Sequence, residues 1–149
     1  MTMHTPRTSP ADHAIHRPHL LLIEDDRDVR RILCDELQLE GFHVYATATG
    51  EDGLIAATQQ TPDLILLDLK MPRMTGHEVC RCLKENTDTM NTPVVILTCE
   101  TGILDKVQAF NLGALDFINK GHPVEEILAR VKSILKRSSV ILGNLTEKD

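Results

Sequence analysis

The stretch PDLILLDLKMPRMTG, residues 62–76, contains the apolar run LILL, which ends abruptly at a single carboxylate, Asp68. Four comparable runs lie on either side of it: LLLI at 20–23, FHVYA at 42–46, VVIL at 94–97 and LDFI at 115–118. Each run has the length of a β-strand, and apolar residues at consecutive positions are typical of strands that are buried on both faces. The sequence therefore predicts five strands that are covered on both faces.

Amphipathic stretches separate these runs. The first carries an apolar stripe of Val29, Ile32, Leu33 and Leu37, and Gly41 follows where a left-handed cap would end a helix. Further helices are predicted at about 51–60, 76–85, 103–112 and 124–137. The last of these has an apolar, inward face composed of Val124, Ile127, Leu128, Val131 and Leu135. Because strands and helices alternate, we expect a single-domain α/β fold: a doubly wound, five-stranded parallel sheet flanked by five helices.

The length and composition of the chain fit one globular domain. Its 149 residues are 42% hydrophobic and 26% charged, which is enough to build one core without disulfides or structural metals. A formal net charge of −6 disfavours sequence-independent binding to nucleic acid. We expect a cytoplasmic protein, because the N-terminus lacks the features of a secretory signal and no apolar run is long enough to cross a bilayer.

Residues 1–18 are rich in Thr, Pro and His and carry no hydrophobic period, so they are predicted to be a disordered N-terminal arm. His13, His16 and His19 recur at a spacing of three. On a helix they could bind a metal ion, but prolines on both sides of the first two disfavour a stable helix here. The expected role of this segment is that of an unstructured tail.

The arm leaves residues 19–137 as the predicted folded domain, and residues 138–149 as a C-terminal tail or the start of a linker. The four cysteines show neither zinc-ligand spacing nor a CxxC redox pair. We therefore expect free, mostly buried thiols at Cys34, Cys80, Cys82 and Cys99.

Polar side chains stand at or just beyond the carboxyl ends of four predicted strands, the edge at which doubly wound folds bind ligands. They are Glu24, Asp25 and Asp26 after the first strand, Asp68 after the third, Thr98 after the fourth and Lys120 after the fifth. Clustered carboxylates repel one another unless a cation neutralises them, and Mg2+ suits a few carboxylates, a carbonyl and waters. A hydroxyl and an ammonium can then bind phosphoryl oxygens during phosphoryl transfer. Taken alone, the acidic run could instead simply cap the first helix.

Four stretches, LLLIEDD, PDLILLDLKMPRMTG, TPVVILTCE and LGALDFINK, together resemble the receiver domain of two-component response regulators. The resemblance covers the whole predicted folded domain and implies a flavodoxin-like, CheY-like fold with Asp68 as the phospho-acceptor. It implies that Glu24 and Asp25 are the acidic pair around Mg2+, with Asp25 and Asp68 binding directly and Glu24 through water. The backbone carbonyl of Lys70 would complete the protein ligands, and Asp26 would open the first helix.

The resemblance also implies a signalling switch rather than an enzyme. A histidine kinase or a phosphotransfer protein would pass a phosphoryl group from a phospho-histidine to Asp68, and hydrolysis would later remove it. Thr98 and Lys120 correspond to the family's conserved Thr and Lys, and Phe117 corresponds to its switch aromatic. On phosphorylation, Thr98 would move toward the phosphoryl oxygens and Phe117 would turn into the space it leaves, which alters the face of the fourth helix, fifth strand and last helix.

The sequence departs from the family pattern near the site. Gly121 follows Lys120 where the family usually has a cis-proline, and a cis bond before a non-proline residue costs about 3 kcal/mol, so we expect a trans peptide. Cys99 is bulkier than the residue often found there, and we expect it to narrow access and slow turnover. Lys70 and Glu100 occupy the two variable positions beside the phosphoryl site, and an ion pair between them would shield it from water.

Four charged residues, Lys106, Asp116, Glu126 and Arg130, resemble the set through which receivers of OmpR-like transcription factors dimerise. The resemblance predicts a homodimer, favoured by phosphorylation, through the fourth helix, fifth strand and last helix; the alternative is an ordinary solvated surface. The tail is too short for an output domain, so the signal leaves through a downstream protein partner, or the chain is a receiver fragment of a longer regulator. We expect no direct contact with nucleic acid or membrane.

Three other classes of protein share some of these features. Haloacid-dehalogenase-like Mg2+ phosphatases also use an Asp nucleophile, but after the first strand and with a second Asp two residues later, where this chain has Lys70. A dinucleotide-binding module needs a glycine fingerprint after the first strand, and an acidic run stands there instead. A pseudo-receiver that acts only as a binding module is disfavoured by the complete set of acidic, Thr and Lys residues.

Overall fold

The computed structural model describes residues 17–99 and 102–147. Within these ranges, five strands alternate with five helices, as predicted. The strands are β1 His19–Ile23, β2 His43–Thr47, β3 Leu64–Leu67, β4 Val94–Thr98 and β5 Asp116–Asn119. The helices are α1 Arg27–Leu39, α2 Gly50–Gln60, α3 Gly76–Glu85, α4 Ile103–Asn111 and α5 Val124–Glu147.

All neighbouring strands are parallel, and they form one sheet in the order β2-β1-β3-β4-β5. The predicted fold class is thus confirmed. The chain order reverses between β1 and β3, and this switch point opens a crevice at the carboxyl edge of a doubly wound sheet. The carboxylates that follow β1 and β3 therefore stand side by side.

The core has two layers, one on each face of the sheet, because successive strand residues point to opposite faces. On one face, side chains such as Leu21, Ile65 and Ile96 pack against α2, α3 and α4. On the other face, side chains such as Leu20 and Leu66 pack against α1 and α5. The fully apolar runs in the sequence reflect this double burial.

The edge strand β2 is the exception to the prediction that every strand is covered on both faces. Its burial alternates, and the side chain of Tyr45 is 45% exposed. In the apolar stripe of α1, Leu33 and Leu37 are buried, whereas Ile32 is 46% exposed. The stripe of α1 is therefore narrower than the sequence suggested.

Helix α1 ends where Gly41 predicts. Gly41 has a φ of 98°, its N–H donates to the carbonyl of Gln38, and the N–H of Phe42 donates to the carbonyl of Leu37. This pair of bonds is a Schellman motif, which needs a left-handed residue that glycine supplies without strain.

Helix α5 extends to Glu147, ten residues past the predicted end, because no proline interrupts the sequence after Arg137. Its buried face includes Ile134, which the predicted stripe omitted, beside Ile127, Leu128 and Val131. The predicted N-terminal arm lies outside the described residues except for its last two positions. None of the helices in the described ranges combines the length and apolarity required to cross a bilayer.

The cysteines are all free thiols, but the prediction that they are mostly buried was wrong. Only Cys80 is buried; Cys34 and Cys82 are intermediate and Cys99 is exposed. Burial raises the pKa of the Cys80 thiol, which makes it a poor nucleophile at neutral pH. Cys99 is exposed because it lies just past the end of β4, beyond the cover of the helices.

Candidate functional site

Three carboxylates meet at the switch point. Glu24 directly follows β1, Asp25 is next to it, and Asp68 directly follows β3; one oxygen from each lies within 4.8 Å of the others. Glu24 and Asp68 are only 1% and 5% exposed, whereas Asp25 faces solvent. The sequence-based prediction that these side chains converge is confirmed.

Backbone hydrogen bonds to neighbouring strands fix two of these positions, Glu24 and Asp68. The N–H of Glu24 donates to the carbonyl of Thr47 at 3.0 Å, and the N–H of Asp68 donates to the carbonyl of Ile23 at 3.1 Å. Both bonds continue the ladder of the sheet one residue past the strands. Two of the carboxylates thus extend from the hydrogen-bonded sheet itself, and sites built on strands have more precise geometry than sites on loops.

Capping explains only one residue of the acidic run. Asp26 is the N-cap of α1, and its Oδ1 accepts from the N–H groups of Asp28 and Val29 at 2.9 and 3.0 Å. The Nη1 of Arg30 donates to the carbonyls of Glu24 and Asp25, so the turn is fixed from the helix side as well. The carboxylates of Glu24 and Asp25 remain turned toward Asp68.

Lys120 completes the cluster. Its Nζ lies 2.5 Å from Oε1 of Glu24 and 3.2 Å from Oδ2 of Asp68, and its side chain is 12% exposed. Burial raises the pKa of Glu24 and the charge of Asp68 adds to the rise, while Lys120 opposes it. Burial alone would lower the pKa of Lys120, but the two carboxylates outweigh it and raise that pKa above 10.5. Lys120 is therefore held as a cation shared by both acids.

The donor set fits a hard divalent cation. Three carboxylates facing one ammonium leave the cluster with two negative charges in excess, and the exposed Asp25 gives access from solvent. Oxygen-only ligands with room for water are typical of Mg2+ sites. The cluster is the one group of three or more His, Cys, Asp or Glu side chains with metal-binding spacing among the described residues.

The structure places the other predicted site residues, Thr98, Lys70 and Phe117, as follows. Thr98 is the last residue of β4, the strand beside β3, and is fully buried. The N–H of Lys70 donates to Oδ1 of Asp68 at 3.2 Å while its side chain is exposed. Phe117 is 9% exposed, and the Nζ of Lys106 lies 5.9 Å from the centre of its ring. The pairing predicted between Lys70 and Glu100 involves a residue outside the described ranges.

Sequence reasoning missed Asn119, which shapes the turn that carries Lys120. Its Oδ1 accepts from the N–H of Gly121 at 2.7 Å, and its carbonyl accepts from the N–H of His122 at 3.1 Å. The Lys120–Gly121 peptide is trans, as expected. A proline at 121 would lack the N–H that Asn119 binds, so the turn here depends on a side-chain hydrogen bond. A polar residue ending an apolar strand was the available signal.

Gly76 was also missed as a site residue. It is the first residue of α3, and a Cβ added there would lie 2.2 Å from the carbonyl oxygen of Asp68 and 2.5 Å from the Cα of Leu69. Thr75 caps this helix through a capping box with Glu78, as the expected helix start implied. The helix thus packs directly against the backbone that carries Asp68.

All four charges of the predicted dimer face make a contact within the described part of the chain. The Nη2 of Arg130 donates to both carboxylate oxygens of Asp116 at 2.9 Å, and Glu126 pairs with His122. Lys106 lies over the ring of Phe117. An intermolecular arrangement therefore requires these contacts to be exchanged.

Replacing Lys120 with Met tests the electrostatic balance of the cluster. We expect Lys120→Met to lower the free energy of unfolding by about 3–5 kcal/mol at neutral pH without divalent cations, because two buried carboxylates lose their partner. The folded state raises the pKa of Lys120, so its contribution is complete below pH 10.5 and is lost as the pH rises through the folded value. Chemical denaturation of both proteins from pH 7 to 11 measures the difference. A gap that does not narrow above pH 10.5 would contradict this assignment.

The comparisons with known proteins agree with this geometry. Residues 20–132 match the model of the response regulator receiver domain. The DNA-binding dual master transcriptional regulator RpaA of Synechocystis is 39% identical over 124 residues, which cover 83% of this chain and 52% of that protein. Response regulator ArlR of Staphylococcus saprophyticus is 38% identical over 135 residues, which cover 87% of this chain and 60% of that protein.

Solved structures give the same result. The receiver domain of a LuxO repressor protein from Vibrio parahaemolyticus superimposes with a TM-score of 0.78 at 30% identity, covering 89% of this chain and 98% of that one. The chemotaxis protein CheY4 of Vibrio cholerae gives a TM-score of 0.75 at 27% identity, covering 79% and 98%. This chain spans about half the length of the curated relatives it matches. It belongs to the response regulator receiver domain family.

Proposed function

We propose that this domain accepts a phosphoryl group on Asp68 in a Mg2+-dependent reaction and returns to its resting state by hydrolysis of the acyl phosphate. The donor in this proposal is the phospho-histidine of a histidine kinase or a phosphotransfer protein. One observation carries the proposal: three carboxylates and Lys120 converge at the sheet edge where the strand order reverses. The family match supports the same reaction class.

In this account, Asp25 and Asp68 bind the metal directly and the carbonyl of Lys70 is a further ligand. Glu24 acts through water, because its Oε1 contacts Lys120 and its Oε2 accepts from the N–H of Asp26 at 3.0 Å. Bound Mg2+ supplies positive charge that neutralises the acids and the phosphoryl oxygens. The convergence of the three carboxylates therefore supports Mg2+ as the bound ion.

The chain's own residues then have separate roles. A carboxylate oxygen of Asp68 attacks phosphorus, the bond from phosphorus to the donor nitrogen breaks, and an acyl phosphate forms. Lys120 moves its ammonium from the free carboxylates to a phosphoryl oxygen, which offsets charge in the transition state. The hydroxyl of Thr98 binds another phosphoryl oxygen. Each group sits at the end of a strand, so little reorganisation is needed.

In this proposal, the conformational change that signals phosphorylation begins with the displacement of Thr98. Phe117 is buried at the margin of the core and lies in β5, directly beside β4. When Thr98 moves toward the phosphoryl group, Phe117 turns inward and the surface of α4, β5 and α5 changes. The contact between Lys106 and the ring is lost or altered in the process. A local change of charge thereby biases a two-state surface.

Signal output in this proposal goes through a protein partner or through a further domain, since the curated relatives are longer than this chain. We place the reaction in the cytoplasm and assign no nucleic acid contact to the residues of this domain. A phosphatase of the haloacid-dehalogenase type does not fit, because the acceptor follows β3 rather than β1. A receiver that only binds partners does not fit either, because the acidic cluster and Lys120 are assembled.

The test is intact-mass spectrometry after incubation with a small acyl-phosphate donor. We expect one added phosphoryl group with Mg2+ and none when a chelator removes divalent cations. Asp25→Asn should slow the addition at least about tenfold, since a direct metal ligand is weakened. Labelling that ignores the chelator, or turnover of a free phosphomonoester, would contradict the proposal.

A second candidate is self-association through the α4–β5–α5 face. Helix α4 presents apolar side chains to solvent, with Ile103 and Leu104 each 78% exposed and Val107 47% exposed. Exposed apolar area beside charges of both signs is typical of an interaction surface. The occupant in this proposal is a second copy of the chain.

We expect a beryllofluoride-treated or phosphorylated sample to sediment as a dimer at concentrations where the untreated protein is a monomer. Leu104→Ser should shift the equilibrium back toward the monomer, because it removes exposed apolar area without touching the core. The same change at Ile55, an exposed apolar residue on α2, is the matched control. Sedimentation as a monomer in both states would remove this candidate.

A further inference from the structure

Two histidines lie side by side at the amino edge of the sheet, the edge opposite the acidic cluster. His19 is the first residue of β1 and His43 is the first residue of β2, and the two are register partners. Their ring centres are 4.8 Å apart with an angle of 33° between the ring planes. Both side chains are exposed to solvent. Nothing in phosphoryl transfer uses this pair.

The backbone around the pair is fixed. The N–H of His19 donates to Oδ2 of Asp63 at 2.7 Å, and the N–H of Asp63 donates to the carbonyl of His19 at 2.7 Å. The N–H of His43 donates to the carbonyl of Pro18 at 3.0 Å. Both histidines therefore start from strands whose register is set, and the carboxylate of Asp63 adds negative charge close by. Such preorganisation lowers the entropic cost of binding a ligand between the rings.

We propose that His19 and His43 form a two-imidazole binding site for a late first-row transition metal ion, with Zn2+ as the reference ion. Imidazole nitrogen is a preferred ligand of Zn2+, Cu2+ and Ni2+ and a poor one for Mg2+. Two imidazoles that hold Zn2+ at about 2.0–2.1 Å with a tetrahedral angle have ring centres about 5 Å apart. The observed separation of 4.8 Å is close to this value, and the strands that carry the two rings are already in register.

The bound ion would join β1 to the edge strand β2 at the point where the sheet begins. An ion that binds only the folded chain stabilises it by mass action. The site is separate from the phospho-acceptor by the full length of β1, and it depends on none of the residues assigned to phosphoryl transfer. The result of a zinc-binding experiment is therefore independent of whether the proposed phosphoryl transfer is correct.

The experiment is a competition titration in which Zn2+ is withdrawn from a chromophoric chelator by the full chain, with excess Mg2+ present to occupy the acidic cluster. We expect His19→Gln and His43→Gln each to weaken Zn2+ binding at least about tenfold. His122→Gln is the matched control, because His122 is also exposed and also lies beside a carboxylate. Zinc should raise the melting temperature of the wild-type protein by several degrees and that of the double variant by much less.

Two further variants test whether other histidines of the chain bind the zinc ion instead. His13 and His16 precede the pair in the sequence and lie outside the described residues. If His13→Gln with His16→Gln removes zinc binding while the His19 and His43 variants keep it, the proposal is overturned. It is overturned equally if the His122 control loses as much affinity as the pair, or if the wild-type chain does not compete with the chelator.

Discussion

Asp68→Asn is expected to abolish phosphorylation by a small acyl-phosphate donor, with no added mass after incubation times that label the wild-type protein completely. The amide has nearly the shape of the carboxylate but lacks the anionic oxygen that attacks phosphorus. The contact between Lys120 and Glu24 at 2.5 Å does not involve Asp68, so it persists in the variant. The loss should therefore be chemical rather than structural.

The free energy of unfolding of Asp68→Asn distinguishes a loss of chemical reactivity from a loss of structure. The charge of Asp68 helps to raise the pKa of Glu24, which means that the two carboxylates repel each other in the folded protein. Removing one of them relieves this repulsion, so we expect the free energy of unfolding of Asp68→Asn to equal or exceed that of the wild type. Asp52→Asn, at an exposed position on α2, is the control that should label normally. Labelling of Asp68→Asn at the wild-type rate would refute the assignment.

Gly76→Ala is expected to have the second largest effect, although Gly76 carries no chemical group. A Cβ at this position would lie 2.2 Å from the carbonyl oxygen of Asp68, and backbone atoms cannot rotate away as a side chain can. Either α3 or the Asp68 segment must shift. Overpacking of this kind typically costs about 1–3 kcal/mol, and a contact with backbone belongs at the upper end of that range. Since the segment carries the acceptor, we also expect slower phosphorylation.

Chemical denaturation and the labelling rate measure these two effects on Gly76→Ala. Gly102→Ala is the matched control, because the added Cβ would meet only the side chain of Asp105, at 3.2 Å. We expect Gly102→Ala to lower the free energy of unfolding by about 1 kcal/mol at most, which is the usual effect of changing an N-cap residue. Equal stability and equal labelling rates in the two variants would show that α3 does not hold the acceptor segment.

The fold could be predicted from the sequence because the deciding signal is local. Runs such as LILL and VVIL are apolar at every position, and this pattern is typical of a strand that is covered on both faces. The acidic cluster was predictable for a related reason, since parallel strands bring their carboxyl ends to one edge. The residues that end those strands had to meet there whatever the details of the loops.

Other features depend on contacts between distant segments and left no local signal. The need for glycine at 76 comes from the close approach of α3 to the backbone of Asp68, which no residue pattern reveals. Ile32 is 46% exposed although it lies on the apolar stripe of α1, and Cys99 is exposed because it lies just beyond β4. The hydrogen bond from the N–H of Gly121 to Asn119 forms where the resemblance would suggest a cis-proline, so the resemblance could not predict this turn.

The central claim is that the carboxylates of separate strand ends, together with a divalent cation, make one aspartate reactive toward phosphorus. Its most direct test is to phosphorylate the chain with an acyl-phosphate donor and Mg2+, reduce the acyl phosphate with borohydride and sequence the labelled peptide. We predict a single modified residue, Asp68, and no modification when Mg2+ is omitted. A label on Glu24, on Asp25 or on a histidine, or the same label without Mg2+, would contradict the account.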